Sequence, residues 1–554
     1  MPTIINTRKL LDRKTVTMVS PAPITNAANM ILIESGGTDQ AMIYLASATL
    51  AYLYDPHEDA YVTLPSPALG GTFGAGVCGR WHPLGPTGTP SSVAAGSIAA
   101  QSILTTTLTL LADLGPRNGN PYRIRINAGT GAGREFDIVS STSGVNSRIT
   151  INNAGVTLDA TSSFVLLTGR FYIFNAGTLS ATSFKFYDQA LATWSAGSSV
   201  TGLPATWGTD GRLARTPSTA SQFDRGQLTS ATSTVLTNTS KSFAVNAFTG
   251  DTIRIVSGTG LNQVRRVVGN TVNTITVSVA FGVVPDATSL YIIEGFDANL
   301  STGTNTTTTL NDTGRAWTVN SFANSQVRIV AGVGVGQIRI VASNTATALT
   351  VSVAWVTTPD ATSVYVLEGN DDALYLLGNN AVAMYKYSIS GNTWATLAPV
   401  AARAGAPAAG ANLNWIFGVN AIDWTDITAI KNGRFLYSFR AGATGTLDIY
   451  DIGLNTWVSA VAYGRAGETF TTGSGYAYDG VNRLYVLKEA TGRMFAFNLA
   501  TSSLDPVLTN VYPQSAVTLG DKMAVAKYSD GGTNVTMLYM LRHSGTEFHR
   551  CIMI

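Results

Sequence analysis

The stretch YSISGNTW, Tyr387 to Trp394, decides how this chain is read, because it recurs. YDQALATW begins at Tyr187 and YDIGLNTW at Tyr450, with weaker copies YDPHEDAY at Tyr54 and FNLATSSL at Phe497. Each copy sets a ring seven positions before a second apolar residue, with polar turn residues between them. Upstream stand ALYLLGNNAVAMYK, RFLYSFRAGATGTLDI, RLYVLKEATGRMFA and RFYIFNAGTLSATSFKF. Each reads as a strand, a Gly-containing turn and a second strand, so the phrase is the turn into a third strand begun by the Trp. Tyr387 and Tyr450 are 63 residues apart, and Tyr450 and Phe497 are 47 apart. One aromatic phrase per ~40–50 residues predicts an all-β chain with a β-propeller of four-stranded blades, the rings packing between neighbouring blades. Five phrases plus the terminal strands DKMAVAKY and TMLYMLRH predict about six blades. Pairing the N- and C-terminal strands would close the ring and remove an exposed edge.

The phrase and its sequel resemble the kelch repeat. ATLAPVAARAGAPAAGANLNWIFG follows Trp394 with a Leu-Ala-Pro element, an Arg and a new strand, and Arg465 stands at a similar distance after Trp457. The resemblance covers 30–66, 170–215 and 370–554 and implies a kelch-like propeller. It lacks the Gly-Gly pair that ends the second kelch strand, for LYLLGN, LYSFRA and LYVLKE have none.

Between the phrases at 187 and 387 lie 200 residues, too many for one blade, and they hold a second repeat. DTIRIVSGTGLNQVRRVVGN…PDATSLYIIEG from Asp251 matches SQVRIVAGVGVGQIRIVASN…PDATSVYVLEG from Ser325 at a constant offset of 74. A degenerate third copy, YRIRINAGTGAGREFDIV…LDATSSFVLLTG, begins at Tyr122. Alternation (Ile253, Ile255; Val327, Ile329) and Gly-rich turns make each copy a small antiparallel β module. The expected division is propeller over 1–91, module 1 over 92–169, propeller over 170–225, module 2 over 226–296, module 3 over 297–369 and the remaining blades over 370–554. Modules carried in rim loops leave a ring intact, because their chain ends lie close together.

Composition narrows the function classes. Of 554 residues only 12% are charged, against ~25% in an average chain, while 45% are apolar and the net charge is +2. Without a dense Lys/Arg run, binding of nucleic acid or acidic lipid by a basic patch is not expected. Two cysteines, Cys78 and Cys551, make neither a disulfide framework nor a zinc site; two buried free thiols are expected. The N-terminus has no apolar signal core and no run approaches the ~18 apolar residues of a membrane helix, so a soluble product of a cytoplasm is expected.

The motifs that could carry chemistry each have a simpler reading. GTGLNQVRR and GVGVGQIRI resemble a phosphate loop in their glycines alone, because a strand follows where a helix N-terminus is required. Asp286 and Asp360 of the PDATS segments supply one carboxylate per loop, short of a calcium cage, and read as turn caps. DIGLNTW is one residue too long between Asp and Trp for a sialidase-type Asp box, itself a turn device. A glycosidase requires two convergent carboxylates, and Asp55, Glu58, Asp59, Asp188 and Asp451 all fall on the repeated turns. His57, His82, His543 and His549 lack metal-site spacing, and a copper site from Cys78 and histidines is a remote alternative. No G-x-S-x-G elbow stands out. No catalytic residue, metal or cofactor is therefore expected.

The tandem module, with its GTG–Q–R turn and PDATS ending, is similar to modules on tailed-bacteriophage tail and head appendages, over about 200 of the 554 residues. The resemblance implies a non-enzymatic virion component of the tail, neck or an attached fibre, made in the host cytoplasm and present in several copies. Its partners would be other virion proteins, with contact to a host-surface glycan compatible with the same reading. The alternatives are a carbohydrate-binding or carbohydrate-cleaving propeller and an intracellular kelch-type adaptor.

Overall fold

The computed structural model describes most of residues 49–403, the strands over 14–17, 42–45 and 416–419, and most of the strands between 435 and 553. The longest stretches outside the described residues are 1–13, 18–41, 404–415, 420–434 and 506–521. Every helix or strand element among the described residues is a β-strand, and all named strand pairs are antiparallel.

Six sheets have three or four strands. Sheet I is Met42–Leu45, Ala51–Asp55 and Ala60–Thr63. Sheet II is Cys78–His82, Arg170–Phe174, Phe184–Asp188 and Thr193–Trp194. Sheet III is Arg212–Arg215, Ala373–Leu377, Met384–Ser388 and Thr393–Thr396. Sheet IV is Ile416–Val419, Phe435–Phe439, Thr446–Asp451 and Thr456–Ala462. Sheet V is Gly475–Tyr478, Arg483–Lys488, Arg493–Asn498 and Ser503–Leu504. Sheet VI is Lys522–Asp530, Thr533–Leu541 and Glu547–Met553, with Lys14–Thr17 added as its fourth strand in the register Lys14↔Arg550. In sheets I to V the strands pair in chain order.

All five phrases are the same hairpin in the same register. Tyr54 pairs with Tyr61, Tyr187 with Trp194, Tyr387 with Trp394, Tyr450 with Trp457 and Phe497 with Leu504. The turn explains the wording of the phrase. Asn392 and Asn455 sit at φ of 50° and 49°, a left-handed conformation that Asn tolerates better than most residues. Their side chains also accept hydrogen bonds from Tyr387 Oη at 2.7 Å and Tyr450 Oη at 2.6 Å. The second phrase position caps the turn: Ser388 Oγ accepts from Gly391 N, and Asp188 Oδ1 accepts from Ala190 N and Leu191 N. The Tyr and Trp rings then lie 5.2–5.3 Å apart in all three Tyr-Trp copies.

Alternation along the second strand of each sheet connects the sheets. In sheet II, Phe171 and Ile173 pack with Ala51, Leu64 and Leu69 beside sheet I, whereas Tyr172 and Phe174 pack with Leu374, Leu376 and Tyr387 of sheet III. In sheet III, Ala373, Tyr375 and Leu377 turn the other way, onto Leu436, Tyr450 and Trp457 of sheet IV. Sheet IV continues with Tyr437 and Phe439 against Phe497 of sheet V. The phrase rings therefore face the preceding sheet: Trp394 lies 5.1 Å from Phe184 and 5.5 Å from Phe174. First strands also run side by side, Cys78–His82 beside Arg212–Arg215, which runs beside Ile416–Val419, and Gly475–Tyr478 beside Lys522–Asp530.

Three larger sheets span 87–167, 222–294 and 297–370 and are called modules 1, 2 and 3. With strands lettered a to g in chain order, modules 1 and 2 share the spatial order a-g-d-e-f-c-b, and module 3 repeats it without b. Strand e is bulged at matching places, between Ile138 and Ser140, Val267 and Gly269, and Val341 and Ser343, which bends each sheet over its own core. Sequence spacing placed each module between one Trp and the next aromatic strand. The topology is narrower, because module 1 lies between the first and second strands of sheet II, and modules 2 and 3 between those of sheet III.

The modules differ in what completes their cores. Module 2 closes with its own Phe243, Phe248 and Phe281, and module 3 with Trp317, Phe322 and Trp355 at the 74-residue offset. Module 1 has no aromatic residue over 105–121 or 153–162. Its core instead includes Ala190 and Leu191 from the phrase turn of sheet II.

Candidate functional site

Two recurring turns meet in every module, and this junction is the most elaborate constellation outside the sheet cores. The d–e turn opens on Gly129, Gly258 or Gly332, at φ of 75–77°. A Cβ there would stand 2.0–2.2 Å from the carbonyl oxygen of Thr161, Thr288 or Thr362 in the Asp-Ala-Thr-Ser turn, so no other residue fits. The approach is fastened by Ser162 Oγ donating to Thr130 O at 2.7 Å, Ser289 Oγ to Thr259 O at 2.7 Å and Ser363 Oγ to Val333 O at 2.6 Å.

The acids of these turns are caps. Asp159, Asp286 and Asp360 each accept the amide of the residue two positions on at 2.8 Å. Asp159 also accepts Thr130 Oγ1 at 2.6 Å, and Asp286 accepts Thr259 Oγ1 at 2.8 Å. Hydrogen bonds, chiefly from Thr130, Thr288 and Thr362 respectively, hold the three carboxyls below the usual carboxylate range.

The Q-x-R element that follows the glycines is a latch. Gln263 Nε2 donates to Gly260 O and to Val283 O at 2.7 Å, while its Oε1 accepts Gly282 N at 2.8 Å and Val283 N at 3.2 Å. Gln337 repeats this with Gly334 O, Thr357 O, Val356 N and Thr357 N. Arg265 donates to Val264 O, Val279 O and Ala280 O and lies over Phe281; Arg339 donates to Ile338 O and Ala354 O and lies over Trp355. These donors fasten the f–g connection, consistent with the hairpin reading of the glycine-rich segment. The constant Gln and Arg at the 74-residue offset are the sequence signal for this latch.

The other flagged residues are dispersed. Asp188 Oδ2 takes Arg170 Nε at 2.7 Å in sheet II, and Asp451 is buried in sheet IV. His82 is buried, accepts Leu84 N at Nδ1 and meets Tyr172 edge-on; Cys78 is buried on the same strand. His57, Glu58, Asp59, His543 and Arg465 lie outside the described residues, as do the side chains of Asp55, His549 and Cys551. Among the described residues no group of three or more His, Cys, Asp or Glu is placed to hold a metal ion.

Two buried charge networks escaped the sequence reading. In module 3 the fully buried Asp312 accepts Tyr365 Oη at 2.7 Å, Asn299 Nδ2 at 2.8 Å, and Arg315 Nε and Thr302 Oγ1 at 3.1 Å. Burial pushes its pKa up, but the Tyr365 and Asn299 hydrogen bonds and the Arg315 charge outweigh that and leave it lowered. Module 2 has Asn238 at the matching place, donating to Tyr291 Oη at 3.3 Å. The second network is Arg403, downstream of Trp394, which reaches sheet IV to pair with Asp448 at 2.6 Å beneath Trp457.

No family model matches the sequence, and no curated protein does. A Bacteroides thetaiotaomicron protein of unknown function is 10% identical, matching over 85% of this chain and 98% of its own, with a TM-score of 0.20. An auxiliary nutrient binding protein from Bacteroides ovatus is 8% identical, over 82% and 94%, with a TM-score of 0.22. Superpositions at this level carry no argument about architecture or function.

Proposed function

We propose that the chain is a non-enzymatic structural component of a bacteriophage virion, in the tail, neck or an attached fibre. Sheets I to VI would form a six-bladed kelch-like propeller, closed by the pairing of Lys14–Thr17 with Glu547–Met553. The observation that carries the reading is the repetition of one strand order in three modules, all in first-to-second-strand connections of neighbouring sheets. Antiparallel strands alternate direction, so these connections emerge from one side of a ring and put the modules beside one another. The recurring acids are used as caps and the recurring Gln and Arg as latches, which supports shape over chemistry. Other virion proteins are the partners in this reading, nucleic acid and membrane insertion are not invoked, and the chain acts in the particle.

The test is to raise an antibody to the purified chain and follow it through density-gradient purification of phage particles from a producing culture. Co-sedimentation with intact particles, and labelling of one structure on them, is the expected result. Absence from the particles overturns the proposal. Degradation of a host glycan by the purified chain would overturn its non-enzymatic part.

A further inference from the structure

One row across sheet II carries three ionisable side chains, and module 1 is attached along it. His82 pairs with Arg170, and Arg170 with Asp188. The chain leaves sheet II for module 1 just after His82 and returns just before Arg170. Asp188 caps the turn that lends Ala190 and Leu191 to the module 1 core, and its Oδ2 takes Arg170 Nε at 2.7 Å. The row is therefore the joint between module and sheet. Gly85 N donates to Leu166 O at 2.8 Å and Leu166 N to Pro86 O at 2.9 Å, while Leu84 packs with Val165 and Leu167. Gly169 closes the joint at φ of 89°, where a Cβ would stand 2.2 Å from Trp81 Nε1.

His82 brings to this joint the side chain that ordinarily changes charge near neutrality. It is fully buried, and its Nδ1 accepts Leu84 N at 3.3 Å. A ring nitrogen that accepts carries no proton, so the closed joint holds the imidazole neutral with its proton on Nε2. Protonation turns Nδ1 into a donor facing another donor and sets a second cation beside Arg170. The neighbouring charges oppose that cation. Alternation puts Cys78 and Arg80 of the same strand and Tyr172 of the next on the His82 face of sheet II. Sheet III presents Tyr385 and Tyr387 to that face. The face of module 1 that packs on Leu84 carries Arg123, Arg125 and Asp137 by register. The side chains of Arg212, Arg215 and Glu135, on adjoining strands, lie outside the described residues. Among the described groups four arginines thus stand against two carboxylates, and Asp188 is already engaged by Arg170.

We propose that His82 makes the attachment of module 1 to sheet II a pH-sensitive joint, closed while the imidazole is neutral and opened by its protonation. A histidine released by opening takes up a proton below its ordinary value of ~6.5, so the open joint binds one proton more than the closed one. Closure is therefore complete above pH ~6.5 and is lost as pH falls below it, the opening equilibrium rising about tenfold per pH unit. The inference rests on the joint alone and stands apart from the virion reading.

Amide exchange of the full chain, corrected for its intrinsic pH dependence and read at Leu84, Gly85 and Leu166, tests it. Protection of these amides should fall about tenfold between pH ~6 and pH ~5. Module 2, which has no histidine over 222–294, should stay level across the same range. His82→Gln, which keeps an acceptor and does not titrate, should flatten the dependence. A second measurement uses the unmodified chain with 13C-labelled histidine, whose four histidines give four Cε1 signals. One of them should keep its neutral position at pH ~5.5, a full unit below the ordinary histidine value. Protection at the joint that is indifferent to pH, a dependence that persists in His82→Gln, or four histidines that all titrate near pH ~6.5 overturns the proposal.

Discussion

In sheet III the strand Ala373–Leu377 buries both faces against other sheets; module 3 instead encloses a core made wholly of module 3 residues. The first arrangement makes each sheet dependent on its neighbours, because Leu374 and Leu376 serve one interface while Ala373, Tyr375 and Leu377 serve the other. The second makes a unit that carries its own apolar closure, Trp317, Phe322 and Trp355. Module 1 falls between the two, with a module's strand order but a core completed by Ala190 and Leu191 of sheet II. A shared topology therefore does not imply a shared degree of independence. What decides independence is whether the connecting segments supply the side chains that close the core.

Deletion separates the two arrangements most strongly. Replacing 222–370 by a short linker should leave a soluble chain that unfolds cooperatively, since the cores of modules 2 and 3 borrow nothing from the sheets. Deleting 84–168 should instead expose Ala190 and Leu191 and lower the thermal midpoint or prevent folding. Equal behaviour of the two deletions, followed by circular dichroism, would erase the distinction.

Within the sheets, Trp394→Ala and Trp457→Ala should each cost ~3–5 kcal/mol, because each indole is packed between two sheets. Chemical denaturation measures this, and a cost below ~1 kcal/mol would mean that the sheets are less interdependent than their packing implies.

Modules 2 and 3 differ from each other by one buried group. Asp312→Ala should destabilise module 3 by ~3 kcal/mol, since it leaves Arg315 and Tyr365 without their acceptor. Asn238→Ala in module 2 should cost ~1 kcal/mol. The two should also diverge with pH. Asp312 has a lowered pKa in the folded state, so its contribution is complete above the unfolded value of ~3.9 and is lost as pH falls through the folded one. Asn238 does not titrate. Modules 2 and 3 share the caps Asp286 and Asp360, so amide exchange, corrected for its intrinsic pH dependence and read per module at pH ~7 and pH ~3, should show module 3 losing more protection than module 2.

The smallest effect has the opposite sign. Ala192 holds φ of 48° where the other Tyr-Trp phrases have Asn, and it offers Tyr187 no acceptor. Ala192→Asn should stabilise the chain by up to ~1 kcal/mol, by easing that backbone and restoring the Tyr–Asn hydrogen bond. A loss of stability would show that packing beside Trp194 governs this turn.

The sequence by itself determined what is local or copied. A hairpin needs only its own eight residues, so the spacing of seven positions from a ring to a second apolar residue was enough to place five of them. A repeat at constant offset announces a shared strand order, because equal side chains at equal spacing close equal turns. Tertiary structure alone decided whatever joins residues far apart in the chain. Nothing in the neighbourhood of Ala190 marks it as part of module 1's core, and nothing near Arg403 names Asp448, 45 positions on, as its partner. The exact connection that carries each module also emerged only there, since the first strand of a sheet finds its second across 87 intervening residues in sheet II and 157 in sheet III. Such pairings are selected by complementary burial and charge after the chain has folded back on itself, a choice that local propensity and turn chemistry do not encode.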